Sequence, residues 1–144
     1  MAIYFGKCKV EISNNGTSWT DISGNVNSVE VSGGDRKIAE VFALGADYPV
    51  LVAGPRESLT IKVRVIYNES TSGAWETLRG YYENGSTVYL RFTPRGAGSG
   101  NFIFTSDPGY IKSFTYPGGE AGSDDVVACE IEVVTARLTK SVSA

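Results

Sequence analysis

The sequence predicts a single, mainly β domain that carries one helix, and three observations lead there. At 144 residues the chain is about the size of one domain, covering 1–144 without an evident linker. Its apolar residues recur mostly at a period of two, the spacing of a half-buried strand. Only one stretch shifts to helical spacing. A composition of 42% apolar and 20% charged residues allows a packed core and excludes a disordered polyelectrolyte.

Taken in order, Cys8, Val10 and Ile12 alternate with Lys7, Lys9 and Glu11, and this first strand ends at the turn signal Asn14-Asn15-Gly16. A second strand spans residues 25–32, with Val29 and Val31 on one face and Ser28, Glu30 and Ser32 on the other. Gly33-Gly34 reads as a two-residue hairpin, which leads directly into a third strand over 36–44. Leu59, Ile61, Val63, Val65 and Tyr67 give the cleanest alternation in the first half. Val88, Leu90 and Phe92 mark the next strand, and residues 94–100 form a glycine-rich hairpin tip. Short strands follow at 101–105 and 110–116, separated by the turn Asp107-Pro108-Gly109. The last strand runs from 126 to 138, with Val127, Cys129, Ile131 and Val133 on one face and Glu130 and Glu132 on the other. Residues 1–6 read as an N-terminal arm and 139–144 as a C-terminal tail, both loose in an isolated chain.

Residues 72–83 predict the helix. Trp75, Leu78 and Tyr82 recur at i, i+3 and i+7, with Ser72 as the cap, Glu76 at the positive end and Gly85 as the stop. The stripe is expected to lie on a sheet. Residues 45–57, whose apolar centre lies between two prolines and two glycines, fit no regular pattern and read as a long loop. Tyr48, Val50, Leu51 and Val52 are too apolar for a solvated linker, so this loop is expected to dock on another subunit.

Several function classes lack the residues they need. The chain has no histidine, the usual general base and the commonest metal ligand, so no nucleophile–base pair can be assembled from its Ser and Thr residues. Glu130 with Glu132, and Asp124 with Asp125, are better read as a solvated strand face and an acidic turn than as catalytic or calcium-binding pairs. Gly96-x-Gly98-x-Gly100 precedes no helix and fails as a phosphate loop. No catalytic, cofactor or metal residue is expected. A net charge of -3, with no basic arm or stripe, argues against stable nucleic-acid binding. Apolar runs such as Val50–Ala53 are far short of the roughly 18 residues of a membrane span. Met1–Lys7 lacks a signal-peptide pattern, which predicts synthesis in the cytosol. Cys8 and Cys129 share parity with apolar neighbours and read as two small buried hydrophobes; a disulfide between first and last strands is the minority alternative.

The order of elements is similar to that of a known family. An early hairpin is followed by a long loop and a single central helix. Then come Phe104-Thr105, Gly109-Tyr110-Ile111-Lys112-Ser113-Phe114, Gly118-Gly119-Glu120-Ala121 and a Val-rich last strand. This arrangement, with the small unit Asn14–Ile22, resembles the major tail tube proteins of tailed bacteriophages, of the long non-contractile type. The resemblance implies a β-sandwich or split barrel of two packed sheets with one flanking helix. It also implies assembly into hexameric rings that stack into a hollow virion tail, built in the host cytoplasm and closed by a tail terminator. Tape measure protein fills such a tube first, and DNA later passes through without tight binding. On this reading Glu30, Glu40, Glu130 and Glu132 are candidates to line the channel. Asp47, Tyr48, Pro49, Val50, Leu51 and Val52 are candidates for the ring-to-ring contact.

Two other readings compete. Trp19, Tyr81, Tyr82, Tyr110 and Tyr116 could form the stacking platform of a monomeric carbohydrate-binding or adhesin-like sandwich. The same tube could alternatively belong to a contractile tail or secretion machine.

Overall fold

A computed structural model describes residues 5–122 and 127–144. A 3-10 turn at Phe5–Lys7 leads into β1 (Lys9–Ser13), β2 (Thr20–Asp21), β3 (Val26–Gly33), β4 (Arg36–Val41), β5 (Val50–Arg56) and β6 (Leu59–Ile66). Helix α1 (Ala74–Asn84) precedes β7 (Tyr89–Thr93), β8 (Phe102–Ser106), β9 (Tyr110–Phe114), β10 (Ala128–Thr135) and β11 (Leu138–Val142). The strands form a five-stranded sheet ordered β11-β8-β7-β1-β2, a four-stranded sheet ordered β3-β6-β10-β9, and a separate pair β4-β5. All named pairs are antiparallel.

The two larger sheets pack face to face as the period-two pattern requires. Val10, Ile12, Leu90 and Phe92 from one meet Ile61, Val63, Val65, Cys129 and Ile131 from the other, all buried in one cluster. Each such aliphatic side chain taken from water contributes about 1.5–3 kcal/mol. The sandwich with one flanking helix, implied by the resemblance, is therefore the fold.

Helix α1 closes the sandwich beside β9. Trp75 packs edge-on to Tyr67 and tilted against Phe114, and its indole N–H reaches the Thr115 carbonyl at 3.4 Å. Gly85 ends the helix as expected, at φ 65°, with its N–H on the Tyr82 carbonyl and that of Ser86 on Tyr81. The start differs. Gly73 is the N-cap without a side-chain bond, and the Ser72 hydroxyl instead faces Ser70. The first turn is held by the Thr77 hydroxyl on the Gly73 carbonyl and by the Glu76–Arg79 ion pair.

Three other expectations are corrected. Gly33-Gly34 is not a hairpin, because β3 pairs with β6 and β4 pairs with β5. The two glycines, at φ 82° and 74°, are a joint in one long ribbon: the Gly34 N–H bonds Ser58 and the Glu57 N–H bonds Asp35. Residues 45–57 are not a long loop, since Val50–Arg56 is a strand. Its two prolines obscured this: Pro49 precedes the strand, and Pro55 lies where the β4–β5 register shifts, so neither removes a needed ladder bond. Residues 139–144 are not a loose tail. The last strand breaks at Ala136-Arg137, where the Asp107 N–H bonds the Arg137 carbonyl, and β11 crosses to pair with β8 in the other sheet. Most of the proposed arm at 1–6, the start of the last strand at Val126 and the Asp124–Asp125 pair lie outside the described residues.

The joint yields a test. A Cβ at Gly33 would stand 2.8 Å from the Ser58 carbonyl oxygen in a left-handed conformation, whereas one at Gly24 meets nothing within 4 Å. Gly33→Ala is expected to cost about 2 kcal/mol or more in urea unfolding, and Gly24→Ala less than about 0.5. Equal effects would contradict the geometry of the joint.

Candidate assembly surface

The ladder of β3 and β6 does not stop where the core stops. Beyond the joint it continues as β4 and β5, with Ala39 opposite Val52, Glu40 opposite Leu51 and Val41 opposite Val50. Residues 36–56 thus form a two-stranded arm. Successive side chains point to opposite faces of a ribbon, so Val41, Val50 and Val52 lie on one face and Ile38 and Leu51 on the other. All five are exposed, as are Phe42, Leu44 and Tyr48 toward the tip, the last at 83%. A two-stranded hairpin with no sheet or helix behind it is marginal in water. An apolar ribbon exposed on both faces is the signature of a surface that a partner covers.

The expected contact residues sit on this arm. Asp47, Tyr48 and Pro49 lie between the tip turn, where the Ala46 N–H bonds the Ala43 carbonyl, and β5; Val50, Leu51 and Val52 open β5. Ile38, Val41, Phe42 and Leu44 belong to the same exposed surface although they precede residues 45–57. Their apolar character was the available signal.

The four carboxylates proposed for a channel divide. Glu30, Glu130 and Glu132 share the outer face of the four-stranded sheet, in register with Lys62 and Arg64 between them. Lys62 Nζ is 3.8 Å from a Glu132 oxygen. Glu40 lies on the arm, opposite Leu51. The outer face of the five-stranded sheet is built differently: Arg91 clamps Glu11 with Nε–H and Nη2–H at 3.1 and 2.8 Å and stacks 4.2 Å above Trp19.

The alternative aromatic platform does not come together. Trp19 belongs to that Arg91–Tyr89 group, whereas Tyr82 and Tyr116 pack on Phe114 beside the helix. Among the described residues no three Asp, Glu or Cys side chains are grouped to hold a metal ion, and no helix is long and apolar enough to cross a membrane. Both cysteines are free thiols, and burial pushes each above its ordinary value.

No family model matches the chain, and no curated protein matches it. Solved structures do. A chain of the tail of an empty gene transfer agent particle, refined with C6 symmetry, superposes with a TM-score of 0.71 at 16% identity, covering 99% of this chain and 100% of that one. A chain of the extended sheath–tube complex of PVC, an extracellular contractile injection system, gives 0.69 at 16% identity, over 98% of this chain and 92% of the other. A chain from the PVC sheath/tube terminator gives 0.72 at 18%, over 99% and 98%. The likeness is one of fold, and it extends over the whole chain.

Two outcomes follow. Cys129 is fully buried, so it is expected to resist a thiol reagent until the protein unfolds; reaction at the rate of a free thiol would contradict its place in the core. Val50→Thr with Val52→Thr should shift monomer stability by under about 0.5 kcal/mol, because both side chains are already exposed. A loss of several kcal/mol in urea unfolding would mean that the arm packs on its own body.

Proposed function

We propose that this chain is the structural subunit of a tail tube, assembling with copies of itself into stacked six-membered rings around a conduit. The observation that carries the reading is the arm over residues 36–56, an apolar ribbon that its own core does not cover. A tube subunit needs a contact of this kind between rings, and Asp47–Val52 is assigned to it. The subunit also needs open sheet borders within a ring. The four-stranded sheet has two, at β3 and β9, and β3 carries no proline.

That sheet is proposed to face the channel, with Glu30, Glu130 and Glu132 on the wall and Glu40 in the arm contact. A wall on which Lys62 and Arg64 are interleaved with carboxylates recruits few phosphates, because affinity for DNA grows with the number of cations that displace counterions. Passage of tape measure protein and then of DNA is compatible with such a surface. A terminator protein would close the end, and the particle would be a virion tail or a tail-like machine assembled in the host cytoplasm. The similar structures come from a gene transfer agent tail and from contractile injection systems. They therefore support a tube without favouring a non-contractile phage tail over an injection machine.

The ends of the arm lie side by side, with the Glu57 N–H on the Asp35 carbonyl at 2.8 Å, so residues 36–56 can be replaced by Asn-Gly without stretching the body. The full chain, concentrated and viewed by negative-stain microscopy, should give rings or hollow rods. The shortened chain should stay a folded monomer. Normal rods from the shortened chain would overturn the role of the arm, and a full chain that stays monomeric at every concentration would overturn the tube.

A further inference from the structure

The arm leaves one end of the sandwich, and an apolar recess opens at the other. Pro94, Arg95, Gly100, Phe102 and Phe104 line this recess of about 260 Å³, at the loop between β7 and β8. That is smaller than the roughly 300–1,000 Å³ typical of small-molecule sites and suits one or two side chains. Strand β11 spans the distance between the two features. It begins at Leu138, beside Arg56 and Glu57 at the root of the arm, and ends at Val142, paired with Phe102. Strand β3 confirms the polarity: it starts at Val26, near Phe5–Cys8, and runs to the joint, while the Lys7 carbonyl abuts Gly96 of the recess loop. The exposed side chains of the arm show that it does not fold back over the body. A chain therefore cannot fill its own recess with its own arm.

The two surfaces are complementary. Residues 42–49 at the tip hold Phe42, Leu44 and Tyr48, all exposed, and a single charge, Asp47. The rim of the recess holds two cations: Arg95, and Lys140, whose Nζ lies 4.3 Å above the Phe102 ring. Neither forms an ion pair among the described residues. We propose that the arm tip of one copy seats Leu44 in the Phe102–Phe104 recess of the next, with Asp47 facing Arg95 and Lys140. A plug at one end and a socket at the other is a heterologous contact, which propagates head to tail instead of closing on itself. The inference rests on the tube reading and supplies the receptor for the arm.

Two measurements test it. Charge reversal by Asp47→Lys or Arg95→Glu should each raise the concentration needed for assembly by about tenfold, and the double variant should recover most of that loss. In a second chain, Asp47→Cys with Arg95→Cys should give a disulfide-linked ladder of multimers when assembled tubes are oxidised; the unsubstituted chain, treated alike, controls for Cys8 and Cys129. If both single reversals assemble at the parent concentration and the cysteine chain stays monomeric on denaturing gels, the socket is elsewhere and the tube reading stands. If the parent chain never assembles, the socket and the tube fall together.

Discussion

Backbone pairing between residues 26–41 and 50–66 is the constraint on which the rest of the molecule depends. Over β3 and β6 the ladder is covered by the second sheet, and its inward side chains Val29, Ile61, Val63 and Val65 belong to the core cluster. Over β4 and β5 nothing covers it, and the same ribbon becomes an exposed arm. Hydrogen bonds propagate along a ribbon whether or not a core lies beneath, but each contributes only about 1 kcal/mol net, too little to stabilise an uncovered pair. The chain therefore holds one segment in strand form with no layer of its own behind it, beside a body whose strands are covered.

The body supplies the rigidity this division requires. Trp75 ties the helix to β9 through Phe114, and the Glu11–Arg91 clamp with Trp19 above it ties β1 to β7 on the opposite outer face. The joint at Gly33-Gly34 then sets the direction of the arm, since only residues that accept a positive φ bring Gly34 onto the Ser58 carbonyl. That direction carries the exposed apolar side chains of the arm away from the body.

Much of this was legible in the residues. The alternation in Cys8–Ile12, Leu59–Tyr67 and Cys129–Val133 identified the core strands and their inward faces, because burial on one side of a strand imposes a period of two, while Val127 at the edge of that pattern is exposed. The shared face of Glu130 and Glu132 followed from the same rule. Gly85 identified the helix end because a left-handed cap selects glycine. The apolar character of Tyr48–Val52 marked a segment that the body leaves exposed.

Tertiary structure decided what local pattern could not. Gly33-Gly34 has the chemistry of a tight hairpin, yet β3 joins β6 because that pairing buries Val29 against the core, a long-range gain invisible to a two-residue turn signal. Val50–Arg56 became a strand only through β4, and the break at Ala136-Arg137 sent Leu138–Val142 to the other sheet for a partner in β8. Glu40 parted from Glu30 because the joint lies between them. Periodicity reports which side of a segment tends to be buried; which segment lies on the other side of the hydrogen bonds is a property of the whole folded chain.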